Sequence, residues 1–289
     1  MKLNVLGLAT LIIIFEVLVR FAGLADVPLR TPNPVTGYIP NADQDGRFLL
    51  NDWTINNLGM ISSNDYQLNN DNIVLAGDSI VFGGNPFAQK DRLGSILNGE
   101  EHPVYAIADG SWGLKNQLNY FNTMTEPLGR VKKIIFVLNS GDFSVPSLWS
   151  CESYHPTERP SIHFYFLFRK YFLPDCTATP NNVIVKDYLL NDGVSALLRN
   201  YPNTKLYFVL YPNKMQYMNE VILSEVLQLD RLIDGPLLDD ITVLDLTSIF
   251  KDRKVWGGEY YQDDIHPTKE GVLILGAIIR ELVLKDDGF

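Results

Sequence analysis

Short apolar runs separated by helix-length stretches constrain this chain more than any other feature. The runs are Asn72–Ala76, Pro103–Ile107, Lys132–Leu138, Lys205–Leu210 and Ile241–Leu246. Continuous β-branched runs of that length suit strands buried on both faces. The helix-length stretches are Leu114–Thr125, Asn182–Asn200, Asn213–Asp234 and Thr268–Lys285; the last opens on Pro267-Thr268 and is apolar at helical spacing. Strand–helix alternation predicts one α/β domain, a parallel sheet covered on both sides. Open parallel sheets carry their sites beyond the C-terminal ends of the strands, so the residues after each run come first in a search for chemistry.

The first residues do not follow that pattern. Leu3 to Leu24 is apolar except for Glu16 and Arg20, and its about 22 residues make roughly 30 Å of helix. Glu16 and Arg20 stand at i, i+4 and can pair on one helix face, with Arg20 close enough to the end to snorkel. The segment 1–25 is expected to be an uncleaved membrane anchor; a signal peptide cleaved near Gly23-Leu24-Ala25 and a buried helix are the alternatives. Lys2 and the amino terminus favour an inside N-terminus, against Arg20 and Arg30 on the other flank. The expected location is a single-pass membrane protein with its main domain on the extracytoplasmic side. This segment also explains a mean hydropathy near zero in an acidic chain.

Residues 26–70, rich in Pro, Asn, Asp and Gly, read as an irregular lead-in lying over a domain at 71–289. Within that domain about 144–180 breaks the alternation and reads as an insertion near the site. Cys151 and Cys176 bracket it; a bridge would tether it and suit export, and two free thiols are the other reading. Two cysteines exclude a disulfide scaffold and a multi-cysteine metal site. With 24 Lys+Arg against 34 Asp+Glu and no basic run interleaved with aromatics, nucleic acid is not an expected partner.

After the first run comes Gly77-Asp78-Ser79-Ile80, with Gly83-Gly84 beyond it. A serine at a strand-to-helix turn presents its hydroxyl, and its own N–H points where developing negative charge is stabilised. A helix cap is the bland reading. A serine nucleophile needs a base, and the histidines are His102, His155, His163 and His266. His102 precedes a strand, and His155 and His163 fall in the insertion. His266 follows the fifth run in Asp263-Asp264-Ile265-His266-Pro267-Thr268, where one turn brings Asp263 to the imidazole, fixing its tautomer.

Gly-Asp-Ser near the start of a domain and Asp-x-x-His near its end resemble the signatures of the SGNH (GDSL-type) serine hydrolases. The run His266-Pro267-Thr268-Lys269-Glu270-Gly271 is similar to that family's His-Pro-x-x-x-Gly ending, and the resemblance covers about residues 70–285. It implies a flavodoxin-like three-layer α/β/α fold with a five-stranded parallel sheet, with Ser79 as nucleophile, His266 as base and Asp263 as its orienter. No Gly-x-Ser-x-Gly elbow is present, which counts against the α/β-hydrolase fold. Oxyanion donors are implied from Ser79, from Gly110 in Ala108-Asp109-Gly110-Ser111-Trp112-Gly113, and from Asn139 in Leu138-Asn139-Ser140-Gly141-Asp142. Ser111 or Gly113 replaces Gly110 if the alignment slips, and Gly141 stands where the family has its asparagine. A turn in which Asn139 caps the strand end is the alternative for that residue.

The apolar helix with Gly37-Tyr38 and Asn56-Asn57-Leu58-Gly59-Met60 resembles membrane-anchored bacterial members associated with envelope polysaccharides. The resemblance implies a serine esterase acting on acyl, chiefly O-acetyl, esters of a carbohydrate, with polysaccharide-biosynthesis proteins as possible partners and no cofactor. An O-acetyltransferase and an inactive glycan-binding protein are the alternatives. Trp112, Trp149, Trp256 and the aromatic run His163–Phe168 read either as core or as a sugar-stacking surface. Asp239-Asp240 and Asp263-Asp264 lack a second nearby histidine, so no metal is expected.

Overall fold

The structure, a computed structural model, describes residues 5–68, 71–84, 87–99, 103–173, 176, 185 and 187–285. His102 and part of the expected helix at 182–200 lie outside the described residues.

The described residues open with α1 (Val5–Phe21), 17 residues long. It ends at Gly23, whose φ of 60° is the left-handed conformation that glycine adopts most readily. Leu24 N–H donates to Val19 O (3.1 Å) and Gly23 N–H to Arg20 O (3.0 Å), the paired bonds of a Schellman cap. The expected spanning helix ran through this glycine to Leu24. The observed one stops before it and is about 25 Å long at 1.5 Å per residue. Among the described residues no helix is long and apolar enough to cross a membrane. Its second half is also tied to the domain, through Glu16 and Arg20.

The lead-in is more ordered than its composition suggests. It forms two antiparallel hairpins, β1 (Arg30–Asn33) with β2 (Gly37–Pro40), and β3 (Gln44–Phe48) with β4 (Asn51–Ile55). The second turns on Leu49 and Leu50, both at positive φ (47° and 68°). A two-residue turn of that hand normally takes Asn-Gly, so the Leu-Leu pair hid the hairpin.

The core is a five-stranded parallel sheet of β5 (Ile73–Gly77), β6 (Val104–Ala108), β7 (Lys133–Leu138), β8 (Lys205–Leu210) and β9 (Ile241–Asp245). The strand order is β6-β5-β7-β8-β9. Every residue of β5, β6 and β7 is buried, as continuous apolar runs require. Alternate residues serve opposite layers. Val74, Ala76, Ile134 and Phe136 pack with α4 (Leu114–Thr123) and α6 (Leu190–Asn200) on one face. Ile73, Leu75, Ile135 and Val137 pack on the other face with α2 (Ser79–Phe82), α3 (Leu93–Leu97), α7 (Leu246–Arg253) and α8 (Lys269–Ile279). Between α4 and α6 in the chain lies α5 (His163–Phe172), in the segment expected as an insertion. Cys151 and Cys176 are bonded to each other.

The stretch 213–234 is not one helix. Glu220 and Gln228 take left-handed φ values of 60° and 49° and break it into short turns, the first two Lys214–Met218 and Leu223–Leu227. That break bears on the site, because the turn at Lys214 holds the loop carrying His266.

Candidate active site

The strand order places a topological switch between β5 and β7, where the chain leaves on one side of β5 and returns on the other. Crevices beyond such a point are where open α/β sheets bind ligands. Ser79 follows β5 and Asn139 follows β7.

Ser79 begins α2 immediately after Asp78, whose carboxylate caps the helix by accepting from Ile80 N–H at 2.8 Å. Gly77 permits this tight passage from strand to helix, since a Cβ there would lie 2.4 Å from the Val81 side chain. His266 arrives from the far end of the chain on a loop pinned over β8. Lys214 N–H donates to Asp264 O (2.8 Å), Gln262 N–H to His266 O (2.9 Å), and the Tyr261 hydroxyl to Pro212 O (2.7 Å). Thr268 then caps α8.

His266 Nε2 lies 2.8 Å from Ser79 Oγ, and His266 Nδ1 lies 2.8 Å from Asp263 Oδ2. The serine, histidine and aspartate form one hydrogen-bonded chain. Asp263 can only accept at neutral pH, so Nδ1 carries the proton and the Nε2 lone pair faces the serine hydroxyl. The other carboxylate oxygen of Asp263 accepts from the N–H groups of Ile265 (2.9 Å) and His266 (2.8 Å). Partial desolvation works against ionisation of Asp263, but these bonds outweigh it and hold the carboxyl below its ordinary range.

The other described histidines are committed elsewhere. His155 stacks on Tyr38 with centroids 3.9 Å apart, and burial pushes its pKa down to about 4. His163 lies 3.1 Å from Glu16.

The two remaining expected oxyanion donors are not free. Gly110 N–H donates to Asp109 Oδ1 at 2.7 Å, because the side chain of Asp109 folds back over its own turn. Asp109 is held there by a buried bidentate pair with Arg30, both contacts 2.6 Å. Asn139 Nδ2 donates to Asp78 Oδ2 and to Asp142 Oδ2, each at 3.0 Å, which uses both of its hydrogens. Its Oδ1 accepts from Gly141 N–H, the capping role that was its alternative. Gly113 N–H is occupied by Asn116 Oδ1. The N–H groups of Ser79 and Ser111 have no acceptor among the described residues.

Behind the site lie carboxyls that sequence reasoning passed over. Asp78 and Asp142 are both buried, and both face the Asn139 amide. Burial pushes Asp78 up to about 6. Burial and the neighbouring Asp78 push Asp142 well above the ordinary range.

Trp112, Trp149 and Trp256 are buried, so they are core and not a sugar-stacking surface. The cavities of about 300, 270 and 340 Å³ are lined by other residues, not by Ser79 or His266. Half of the Asp263 side chain and a third of the His266 side chain remain exposed, so the site opens directly to solvent. Among the described residues no group of three His, Cys, Asp or Glu side chains could hold a metal ion.

No family model and no curated protein sequence matches the chain. Several solved structures do. A lipolytic G-D-S-L family member from Veillonella parvula is 12% identical, with a TM-score of 0.44 over 74% of this chain and 98% of that one. The aryl esterase of M. smegmatis is 17% identical, with a TM-score of 0.40 over 74% and 98%. An acetyl xylan esterase from Geobacillus stearothermophilus, as a variant, is 13% identical, with a TM-score of 0.41 over 77% and 99%. At these identities none of them says what reaction this chain performs.

Proposed function

We propose that the protein is an SGNH-type serine esterase that removes acyl groups, chiefly O-acetyl, from a carbohydrate. The observation that carries this reading is the continuous path from Ser79 Oγ through His266 to Asp263, two contacts of 2.8 Å each. His266 Nε2 takes the hydroxyl proton as Ser79 Oγ bonds to the ester carbonyl carbon. Asp263 keeps the imidazole in register and stabilises the imidazolium that results. The imidazolium then gives its proton to the sugar oxygen as the carbon–oxygen bond breaks. Water repeats the cycle on the acyl-serine: it gives a proton to His266 as its oxygen bonds to the carbonyl carbon, the bond from that carbon to Ser79 Oγ then breaks to free the acid, and Oγ takes the proton back from His266.

The oxyanion is held by the Ser79 N–H and by an N–H of the turn at Gly110-Ser111. The Ser111 N–H has no acceptor among the described residues, whereas Gly110 has first to release Asp109. Asn139 serves by fixing Asp78 and the turn after β7. The carbohydrate and the acetyl group come from the sequence resemblance.

The Cys151–Cys176 bond supports an oxidising, extracytoplasmic compartment. The exposed apolar surface of α1 supports attachment to a membrane.

The test is Ser79→Ala on a chromogenic acetate ester and on acetylated oligosaccharides. A loss of about 10⁴-fold or more in kcat is expected, together with fluorophosphonate labelling that maps to Ser79. Full activity in the variant overturns the nucleophile. An unlabelled Ser79 in a protein that still binds glycans makes it a binding protein, and transfer to an oligosaccharide faster than hydrolysis makes it an O-acetyltransferase.

A further inference from the structure

The helices α1 and α5 are far apart in sequence but make one body. The Glu16 carboxylate of α1 accepts from the first N–H groups of α5, those of His163 (2.9 Å) and Phe164 (3.1 Å). Arg20 bonds the same carboxylate at 2.6 Å and also donates to Ser161 O, just before α5. The Phe15 and Phe164 rings meet edge to face at 5.8 Å. On another side α5 turns Phe166 and Leu167 onto the lead-in, which forms a collar over the domain, at Val27, Phe48, Trp53 and Ile55. The second half of α1 is therefore fixed to the domain through α5.

What this body leaves bare is apolar. Leu11, Ile12, Ile13, Ile14 and Phe15 are all exposed. Consecutive helical residues step by about 100°, so these five go round the whole helix. A protein partner or a second copy covers one side of a helix; a lipid phase surrounds it. On α5 the exposed Tyr165, Phe168 and Phe172 follow i, i+3, i+7 spacing and make one stripe, with Phe172 at 72% exposure. The charge agrees. In a chain of formal charge −10 these two helices contain a single acid, Glu16, which Arg20 neutralises; Lys170 is turned inward and donates to Ser153 O, and Arg169 stays half-exposed, so the face carries no net negative charge. A lipid surface, often anionic, is the environment that such a face fits.

We propose that α1 and α5 form one bilayer-binding unit, in which α1 enters the apolar layer and the Tyr165–Phe168–Phe172 stripe lies in the headgroup–acyl boundary. This rests on the membrane attachment proposed above and adds a second contact to it. One helix on a hinge would leave the domain free to swing. Two helices clamped through Glu16 fix the attitude of the sheet, and so of Ser79, relative to the membrane.

The experiment is flotation of the full chain with vesicles of phosphatidylcholine and phosphatidylglycerol. The unaltered protein is expected to float. Phe168→Asp/Phe172→Asp, with α1 intact, is expected to weaken binding tenfold or more. Leu189→Asp, which alters an equally exposed apolar residue outside both helices, should leave binding unchanged. Thermal melts confirm that each variant is folded, and Phe172→Ser, with an expected weakening of a few-fold, replaces the double variant if that one is not. If the unaltered protein floats and the α5 variants float equally, the α5 contact is wrong while the attachment stands. If the unaltered protein does not float, both are wrong. If it forms a dimer that Phe168→Asp/Phe172→Asp dissociates, a second copy covers the stripe and the proposal fails.

Discussion

Asp142 shows what one buried side chain does to the site and what the sequence could not convey about it. Its carboxyl accepts from Asn139 N–H (2.8 Å) and shares the Asn139 amide with Asp78. Both acids are raised above 3.8, so the folded protein keeps protons that the unfolded chain gives up. Their effect on stability is absent below the unfolded value and becomes a growing penalty as pH rises past it. Asp142→Asn keeps the acceptor and removes the second charge. The variant is expected to equal the unaltered protein near pH 3 and to exceed it by about 1–2 kcal/mol at pH 8. Urea unfolding at both pH values checks this, and a gap that does not widen with pH would sink it. The contact of Ser79 with His266 and Asp263 was legible because Asp263 and His266 are one turn apart and Ser79 follows an apolar run. Asp142 was not, because the partner that gives it meaning comes from another strand. For the same reason the sequence suggested Gly110 and Asn139 as donors but could not show their hydrogens already taken by Asp109, Asp78 and Asp142.

At the scale of elements, the strands were readable almost to the residue, because burial on both faces imposes continuous apolar runs. The hairpins of the collar were not. Their strands are short and partly polar, and the Leu49-Leu50 turn lacks the usual glycine. Tertiary contacts hold them. β1 is fastened to the sheet by Arg30, buried against Asp109 at the end of β6, with its guanidinium 5.4 Å from the Phe82 ring centre. Arg30→Met leaves Asp109 buried without a counter-charge, which typically costs about 3–5 kcal/mol. Because the pair is buried, the loss should persist at 1 M salt, unlike that of a surface pair. Arg30→Met/Asp109→Asn should recover much of it. Denaturant unfolding of the three proteins decides the matter; a loss that vanishes in salt would mean that the pair is not the fastening.

The whole molecule is joined at His155, where the collar, the segment after β7 and the sheet end meet. Its ring stacks on Tyr38 from β2, and its Nδ1 accepts from Ser150 N–H at 3.1 Å, which requires the neutral imidazole. Burial, with Arg30 and Lys170 adding to it against the pull of Asp109, lowers its pKa from 6.5 to about 4. Between these values the unfolded chain holds a proton that the folded one lacks, so His155 makes stability rise with pH across that window. The carboxyl pair at Asp78 and Asp142 acts in the opposite sense over much of the same window, so the measured curve of the unaltered protein is a partial cancellation. His155→Phe keeps the stacking on Tyr38 and loses the acceptor for Ser150, a cost that does not change with pH. The unaltered protein should therefore gain on this variant by about 2 kcal/mol between pH 4 and 6.5, somewhat less than the full shift because the ring is not wholly buried. The variant alone should lose stability between pH 4 and 6.5, because the raised carboxyl pair then governs the slope while the acids held low, Glu16 and Asp263, titrate largely below that window. Parallel stability curves for the two proteins would show that His155 is not held neutral, and with it that the collar is not clamped to the domain through that ring.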